Sequence, residues 1–155
     1  MGQIRERIDI SAPVQRVWQV VHIDIADVPR WSENLLRTEV VGGGRLRVGS
    51  ELLYVVKLPA GRTQELTLRV EEYDEYQRCA GTLRGGPVRG TWSWSYTVRS
   101  KATSVLYESV VQLSGLLRFA GGFVEEQAAV DVRRNLQGLK RYVESQSVSA
   151  HTASP

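Results

Sequence analysis

The chain has 155 residues, of which 42% are hydrophobic and 24% charged, a composition typical of one ordinary globular domain. The net charge is +3, and basic and acidic residues are interleaved. A nucleic-acid-binding protein usually has a clustered basic stripe, so we expect no nucleic-acid partner. Cys79 is the only cysteine and is accompanied by only two histidines, His22 and His151, so neither a disulfide nor a metal site is expected.

No apolar run approaches the ~20 residues that a membrane-spanning helix needs, and the first residues carry charges rather than an apolar signal segment. We therefore expect a cytoplasmic protein without a membrane span. No motif for a cofactor is present, since the glycine clusters are typical of turns and none opens a helix as a phosphate-binding loop does.

The first part of the chain predicts one strand and two short helices. Residues 3–10 alternate weakly in polarity and predict the strand. A short helix then extends to about residue 21, and its apolar stripe includes Trp18, which we expect in the core. A second short helix or turn begins near Asp24 and leads to Trp31.

Six strand segments separated by turn residues follow and predict an antiparallel meander. They span residues 35–41, 50–58, 62–73, 78–84, 88–100 and 103–113. In the fifth of these segments Trp92, Trp94 and Tyr96 alternate with small polar residues, so they share one face of the sheet. A face this bulky must be covered, and two interpretations stay open: a packed core, or a ligand.

A long helix closes the pattern, because apolar residues recur at intervals of three and four from Val124 to Val143. The sequence therefore predicts an α+β fold with the order β-α-α-β6-α. About seven antiparallel strands would form a curved sheet wrapped around the C-terminal helix. We expect one domain over residues 1–145 and a disordered tail over 146–155.

Three segments and one glycine carry a resemblance to a known family. They are Ile8-Asp9-Ile10-Ser11-Ala12-Pro13-Val14-Gln15-Arg16-Val17-Trp18, Asp27-Val28-Pro29-Arg30-Trp31, Gly49, and Val132-Arg133-Arg134-Asn135-Leu136-Gln137-Gly138-Leu139-Lys140. With this element order, residues 3–145 resemble the START-related helix-grip superfamily, also called birch-pollen-allergen-like or SRPBCC. The most similar branch is the bacterial polyketide cyclase/dehydrase and lipid transport group.

The resemblance implies a helix-grip fold with an internal cavity that opens near the two short helices. Strand alternation then selects the side chains that would face this cavity. The predicted ligand-binding residues are Trp31, Tyr54, Leu66, Leu68, Trp92, Trp94, Tyr96, Tyr107, Ser109 and Phe123. A cavity so lined suits a small hydrophobic, ring-containing molecule such as a lipid, quinone or polyketide-like compound.

Two other functions stay open, because a fold does not determine a function. The first is a polyketide cyclase, aromatase or dehydratase. Its candidate catalytic groups are Tyr54, Tyr96, Tyr107 and His22. Each tyrosine more often completes a hydrogen bond of the core. His22 could act as a base with Asp24 at the cavity mouth, but we favour a surface histidine in a loop.

The resemblance also gives an argument against aromatase activity. In aromatase-type cyclases the strand corresponding to 62–73 offers inward polar groups that include an arginine, whereas Arg69 has outward parity here. The second open function is a chaperone-like protein-interaction factor, as some relatives are. The identity of the ligand and the oligomeric state are not determined by the sequence.

Overall fold

The structure, a computed structural model, describes residues 2–115 and 121–152, with side chains described except those of residues 59, 121–125 and 147–152. The described residues form seven strands, two helices and three short 3₁₀ or π-helical turns. The strands are β1 (Gly2–Ile10), β2 (Leu35–Val40), β3 (Glu51–Lys57), β4 (Thr63–Asp74), β5 (Arg78–Gly85), β6 (Val88–Arg99) and β7 (Ala102–Leu113). The helices are α1 (Val14–Trp18) and α2 (Gly121–Thr152), with helical turns at Gln19–Ile23, Ile25–Arg30 and Pro59–Gly61.

The strands form a single curved antiparallel sheet in the order β1-β7-β6-β5-β4-β3-β2. Strands β2 to β7 make an uninterrupted meander, and β1 closes the other side by pairing with β7 from Gly2 opposite Val111 to Ile10 opposite Thr103. The links between β4 and β7 are tight turns of two or three residues, whereas the β2–β3 link spans residues 41–50. This arrangement confirms the expected α+β helix-grip architecture.

Helix α2 is fixed to the sheet by an apolar stripe and by polar contacts along β1. Leu136, Leu139 and Val143 are buried, which is the spacing that the sequence predicted for the covered face. Beside this stripe, Lys140 Nζ donates to the carbonyl of Asp9 at 2.7 Å, and Arg133 Nε to the Glu6 carboxylate at 2.9 Å. The helix continues to Thr152, into the segment that was expected to be a disordered tail from residue 146.

A β-bulge in β4 changes which side chains face the interior. The register with β5 shifts between Val70 and Glu72, so strict alternation fails beyond that point. Tyr73, which alternation places on the outer face with Arg69, instead packs edge-on against Trp18 with ring centroids 5.5 Å apart. Arg69 itself is exposed, as its parity predicted.

Gly81 allows β4 and β5 to approach closely at this bend. A Cβ at this position would lie 1.7 Å from the backbone carbonyl oxygen of Arg69, a distance that no side chain tolerates. Glycine inside a strand is typical of such a close approach. A bulge bends the strand that carries it, and Gly81 leaves room for that bend.

The two predicted short helices are irregular. Helix α1 passes directly into a π-helical turn at Gln19–Ile23, and a 3₁₀ helix at Ile25–Arg30 delivers Trp31 to the interior. Val17, Trp18 and Val20 are almost fully buried, which confirms Trp18 as a core residue. Within the residues that the structure describes, no helix has the length and hydrophobicity that crossing a bilayer requires.

Candidate functional site

A cavity of about 300 Å³ lies between the curved sheet, α2 and the chain around the 3₁₀ helix. Eight of the ten predicted ligand-binding residues lie in its wall. They are Trp31, Tyr54, Leu66, Leu68, Trp92, Trp94, Tyr107 and Ser109. Ala128, Val132 and Leu136 close the cavity from the helix side. The strand alternation therefore selected the correct face of β3, β4, β6 and β7.

The other two predicted residues, Tyr96 and Phe123, are not among the described residues that line the cavity. Tyr96 is buried but stands outside the cavity wall, where its ring packs 5.3 Å from that of Trp18. The side chain of Phe123 lies outside the described residues. Tyr96 is thus part of the core beside the cavity rather than part of its surface.

The structure corrects the expectation for His22. It is not a surface histidine but a buried one, 4% exposed, and it lies in a π-helical turn that brings it to the cavity wall. Its Nε2 is 2.7 Å from the hydroxyl of Tyr96. The recorded partner of His22 is thus Tyr96 and not Asp24, whose carboxylate accepts a hydrogen bond from the Gln19 side chain at 3.0 Å.

Burial determines the protonation of the groups around His22. Desolvation lowers the pKa of His22 to about 3, so the imidazole is neutral across the physiological range. Burial raises the pKa values of Tyr54, Tyr96 and Tyr107, which stay protonated as hydroxyl donors. These four candidate catalytic residues are therefore uncharged hydrogen-bonding groups at neutral pH.

Aromatic rings form one continuous part of the wall. The ring of Trp94 meets those of Tyr107, His22 and Trp31 at centroid distances of 5.0, 6.0 and 6.4 Å, in edge-to-face arrangements. Such contacts hold large rings in fixed orientations. The wall therefore offers ring edges and faces that are already ordered.

A polar strip on the helix side was not predicted from the sequence. Asp131 and Asn135 lie one turn apart on α2, and both line the cavity together with Ser32 and Asn34 from the opposite loop. Asn135 Nδ2 donates to Asn34 Oδ1 at 2.9 Å, which connects the helix to the loop. Polar residues one turn apart beside an apolar stripe are typical of a solvent-facing helix surface, so the sequence alone does not identify Asp131 and Asn135 as cavity residues.

Trp31 is held against α2 at this end of the cavity. A Cβ at Gly138 would lie 2.2 Å from the carbonyl oxygen of Trp31, so the helix backbone and the loop are in direct contact. The indole Nε1 of Trp31 is the one side-chain polar atom of the described residues that is buried without a hydrogen-bond partner. A buried donor without a partner costs roughly 1–3 kcal/mol of folding free energy, so its presence in a cavity wall calls for an explanation.

The other concavities are less suited to a small molecule. One of about 830 Å³ lies at the β2–β3 loop, and its lining includes the charged residues Arg45, Arg47 and Glu75. In the described part of the chain, no three His, Cys, Asp or Glu side chains lie close enough together to hold a metal ion.

Comparison with known protein families agrees with this architecture. The sequence profile of the family described as "Polyketide cyclase / dehydrase and lipid transport" matches residues 1–144, nearly the whole chain. The chain belongs to this family. No curated protein matches the chain in a sequence search.

Several solved structures resemble this family member over most of its length. A protein from Thermus thermophilus, TTHA0849, is 20% identical with a TM-score of 0.79, and 94% of this chain covers 99% of that chain. A START superfamily protein from Mycobacterium smegmatis is 16% identical with a TM-score of 0.78 and the same coverage. The Zhui aromatase/cyclase from a Streptomyces species is 14% identical with a TM-score of 0.72, and 94% of each chain is covered.

At these identities the structural likeness shows the fold alone, which is the helix-grip fold. For this family member, the family and the fold imply hydrophobic ligand binding or polyketide cyclase activity. The choice between the two depends on the chemistry of the cavity wall.

Proposed function

We propose that this protein binds a small hydrophobic, ring-containing molecule in the cavity between the sheet and α2. The observation that carries the proposal is the wall itself, in which ordered aromatic and aliphatic side chains surround about 300 Å³. Ligand pockets commonly measure ~300–1,000 Å³ and are mostly apolar with a few polar groups. This cavity lies at the small end of that range.

The size and shape of the wall favour rings over long acyl chains. Trp92 and Trp94 lie side by side on β6, and Tyr107 stands opposite Trp94 on β7. Flat ligand rings can stack on such faces and gain roughly 0.5–1.5 kcal/mol beyond the burial of their area. A molecule of one to three rings fits this space better than a two-chain lipid does.

The unpaired indole N–H of Trp31 supports the same proposal. Trp31 is 5% exposed and lies in the cavity wall, but no described group accepts its hydrogen bond. A carbonyl or hydroxyl oxygen of a ligand would supply the missing acceptor. The ligand would then recover part of the free energy that the unpaired donor costs.

Polyketide cyclisation or dehydration in the same cavity is the alternative that the family match supports. Such a reaction needs a group that exchanges protons near neutral pH. The pKa of His22 is about 3, and burial raises the pKa values of Tyr54 and Tyr107, so these groups favour hydrogen bonding over proton transfer. We therefore rank ligand binding above catalysis. The chaperone-like protein-interaction role stays a prediction.

Filling the cavity tests the proposal. Ala128 lies in the cavity wall on α2, whereas its neighbour Ala129 does not. We expect Ala128→Phe to weaken the binding of 2-naphthol, a two-ring probe, by at least about tenfold, because the new ring occupies the ligand's space. Isothermal titration calorimetry measures the affinity of the variant and of the unmodified protein for 2-naphthol.

Ala129→Phe is the matched control, since it adds the same ring to the same helix outside the cavity wall. It should bind 2-naphthol within about twofold of the unmodified protein. The proposal would be refuted if both variants lost the same affinity for 2-naphthol. It would also be refuted if the unmodified protein bound no compound of one to three rings.

A further inference from the structure

Charge is distributed unevenly over the cavity wall. Among the described wall residues, Asp131 is the only Asp, Glu, Lys or Arg. His22 and the wall tyrosines are neutral, for the reasons given above. The described wall therefore contains one carboxylate and no cationic side chain.

This charge disfavours anionic ligands for two reasons. A carboxylate or phosphate entering an apolar cavity loses its hydration and finds no described cation to pair with. It also approaches the half-buried carboxylate of Asp131, and two like charges repel each other.

The same carboxylate is available to a hydrogen-bond donor. Gln127 Nε2 donates to Asp131 Oδ1 at 3.1 Å. An ionised carboxylate offers about four acceptor positions, so capacity remains for a ligand hydroxyl. Asn135, Asn34 and Ser32 line the cavity near it and add polar groups on the same side. The rings of Trp92, Trp94 and Tyr107 lie on the sheet, and Trp31 lies on the loop beside α2.

We infer that Asp131 determines specificity, and that the cavity takes an uncharged, hydroxyl-bearing ring compound in preference to an anionic one. This inference rests on the proposed function. The hydroxyl of the ligand donates to Asp131 on the helix side, and its rings lie against Trp92 and Trp94 on the sheet.

Two ligands that share one ring system and differ in charge test the inference. The probes are 2-naphthol, which is neutral at neutral pH, and 2-naphthoate, which is anionic. We expect isothermal titration calorimetry to give at least about tenfold tighter binding of 2-naphthol by the unmodified protein. Asp131→Asn keeps the shape and removes the charge, so it should reduce this ratio about threefold or more, chiefly by tightening 2-naphthoate.

Glu126→Gln is the matched control, because Glu126 is an exposed carboxylate on the same helix and does not line the cavity. It should leave the ratio of the two affinities unchanged. Thermal unfolding followed by circular dichroism establishes that each variant is folded.

The outcomes separate this inference from the proposed function. If 2-naphthol and 2-naphthoate bind equally well, or if Asp131→Asn leaves their ratio unchanged, the role of Asp131 is wrong while ligand binding stands. If neither probe binds and no other ring compound does, the proposed function fails and the inference fails with it.

Discussion

Acid should destabilise this protein through His22. Between about pH 7.5 and about pH 4.5, His22 should remove roughly 2–3 kcal/mol from the free energy of unfolding. The cause is desolvation, which lowers the pKa of the folded-state imidazole from 6.5 to about 3. The unfolded chain therefore binds this proton first as the pH falls below about 6.5. The stability contributed by neutral His22 is complete above that pH and is lost progressively toward pH 3.

The surroundings of His22 explain why protonation is so unfavourable. Its ring packs 4.3 Å from that of Trp18 and 6.0 Å from that of Trp94, and its hydrogen bond goes to the neutral hydroxyl of Tyr96. The described neighbours include no carboxylate that could stabilise an imidazolium. An added proton would be an unpaired buried charge.

Urea unfolding at the two pH values measures the effect in three proteins. His22→Gln keeps a polar group that can reach Tyr96 but cannot titrate. On acidification this variant should therefore lose less stability than the unmodified protein, by roughly 2–3 kcal/mol. Tyr96→Phe removes the hydrogen bond and keeps the burial of His22, so its acid sensitivity should equal that of the unmodified protein. Equal acid sensitivity in the unmodified protein and His22→Gln would contradict the account.

Gly138→Ala should destabilise the protein by about 1–3 kcal/mol, although alanine is the better helix former. The new Cβ would lie 2.2 Å from the carbonyl oxygen of Trp31 and 3.3 Å from its carbonyl carbon. Both neighbours are backbone atoms, so α2 and the Trp31 loop must separate. Because Trp31 and Asn135 line the cavity on either side of this contact, 2-naphthol should also bind more weakly.

Gln137→Ala is the control for this substitution. Gln137 is exposed on the preceding position of α2, and its replacement should change the free energy of unfolding by no more than about 0.5 kcal/mol. Urea unfolding of both variants is the measurement. A Gly138→Ala protein that is more stable than the unmodified one would mean that helix propensity outweighs the close contact, and the described approach of α2 to Trp31 would be wrong.

The sequence was most informative where the backbone is regular. Side chains alternate on a strand with a period of two, so Trp92, Trp94, Tyr107 and Ser109 could be assigned to one face without a structure. The apolar period of α2 likewise identified Leu136 and Leu139 as covered. These assignments need only local geometry.

Sequence patterns are least informative where the backbone departs from that geometry. The π-helical turn at Gln19–Ile23 turned His22 inward, and no local pattern in the sequence indicates such a turn. The bulge after Val70 placed Tyr73 in the interior. Asp131 and Asn135 were missed for another reason: polar residues beside an apolar stripe are typical of a solvent-facing surface, and only the three-dimensional structure reveals that they border a cavity.

The central claim, that the cavity is a binding site, is tested most directly by the four tryptophan indole N–H signals in a ¹H–¹⁵N correlation spectrum. Trp31, Trp92 and Trp94 line the cavity, whereas Trp18 is buried outside it and donates to the hydroxyl of Tyr73 at 3.3 Å. Titration with 2-naphthol should shift the signals of Trp31 and Trp94 in a saturable manner and leave that of Trp18 in place. A spectrum in which Trp31 and Trp94 do not move, or in which Trp18 alone moves, would contradict the account.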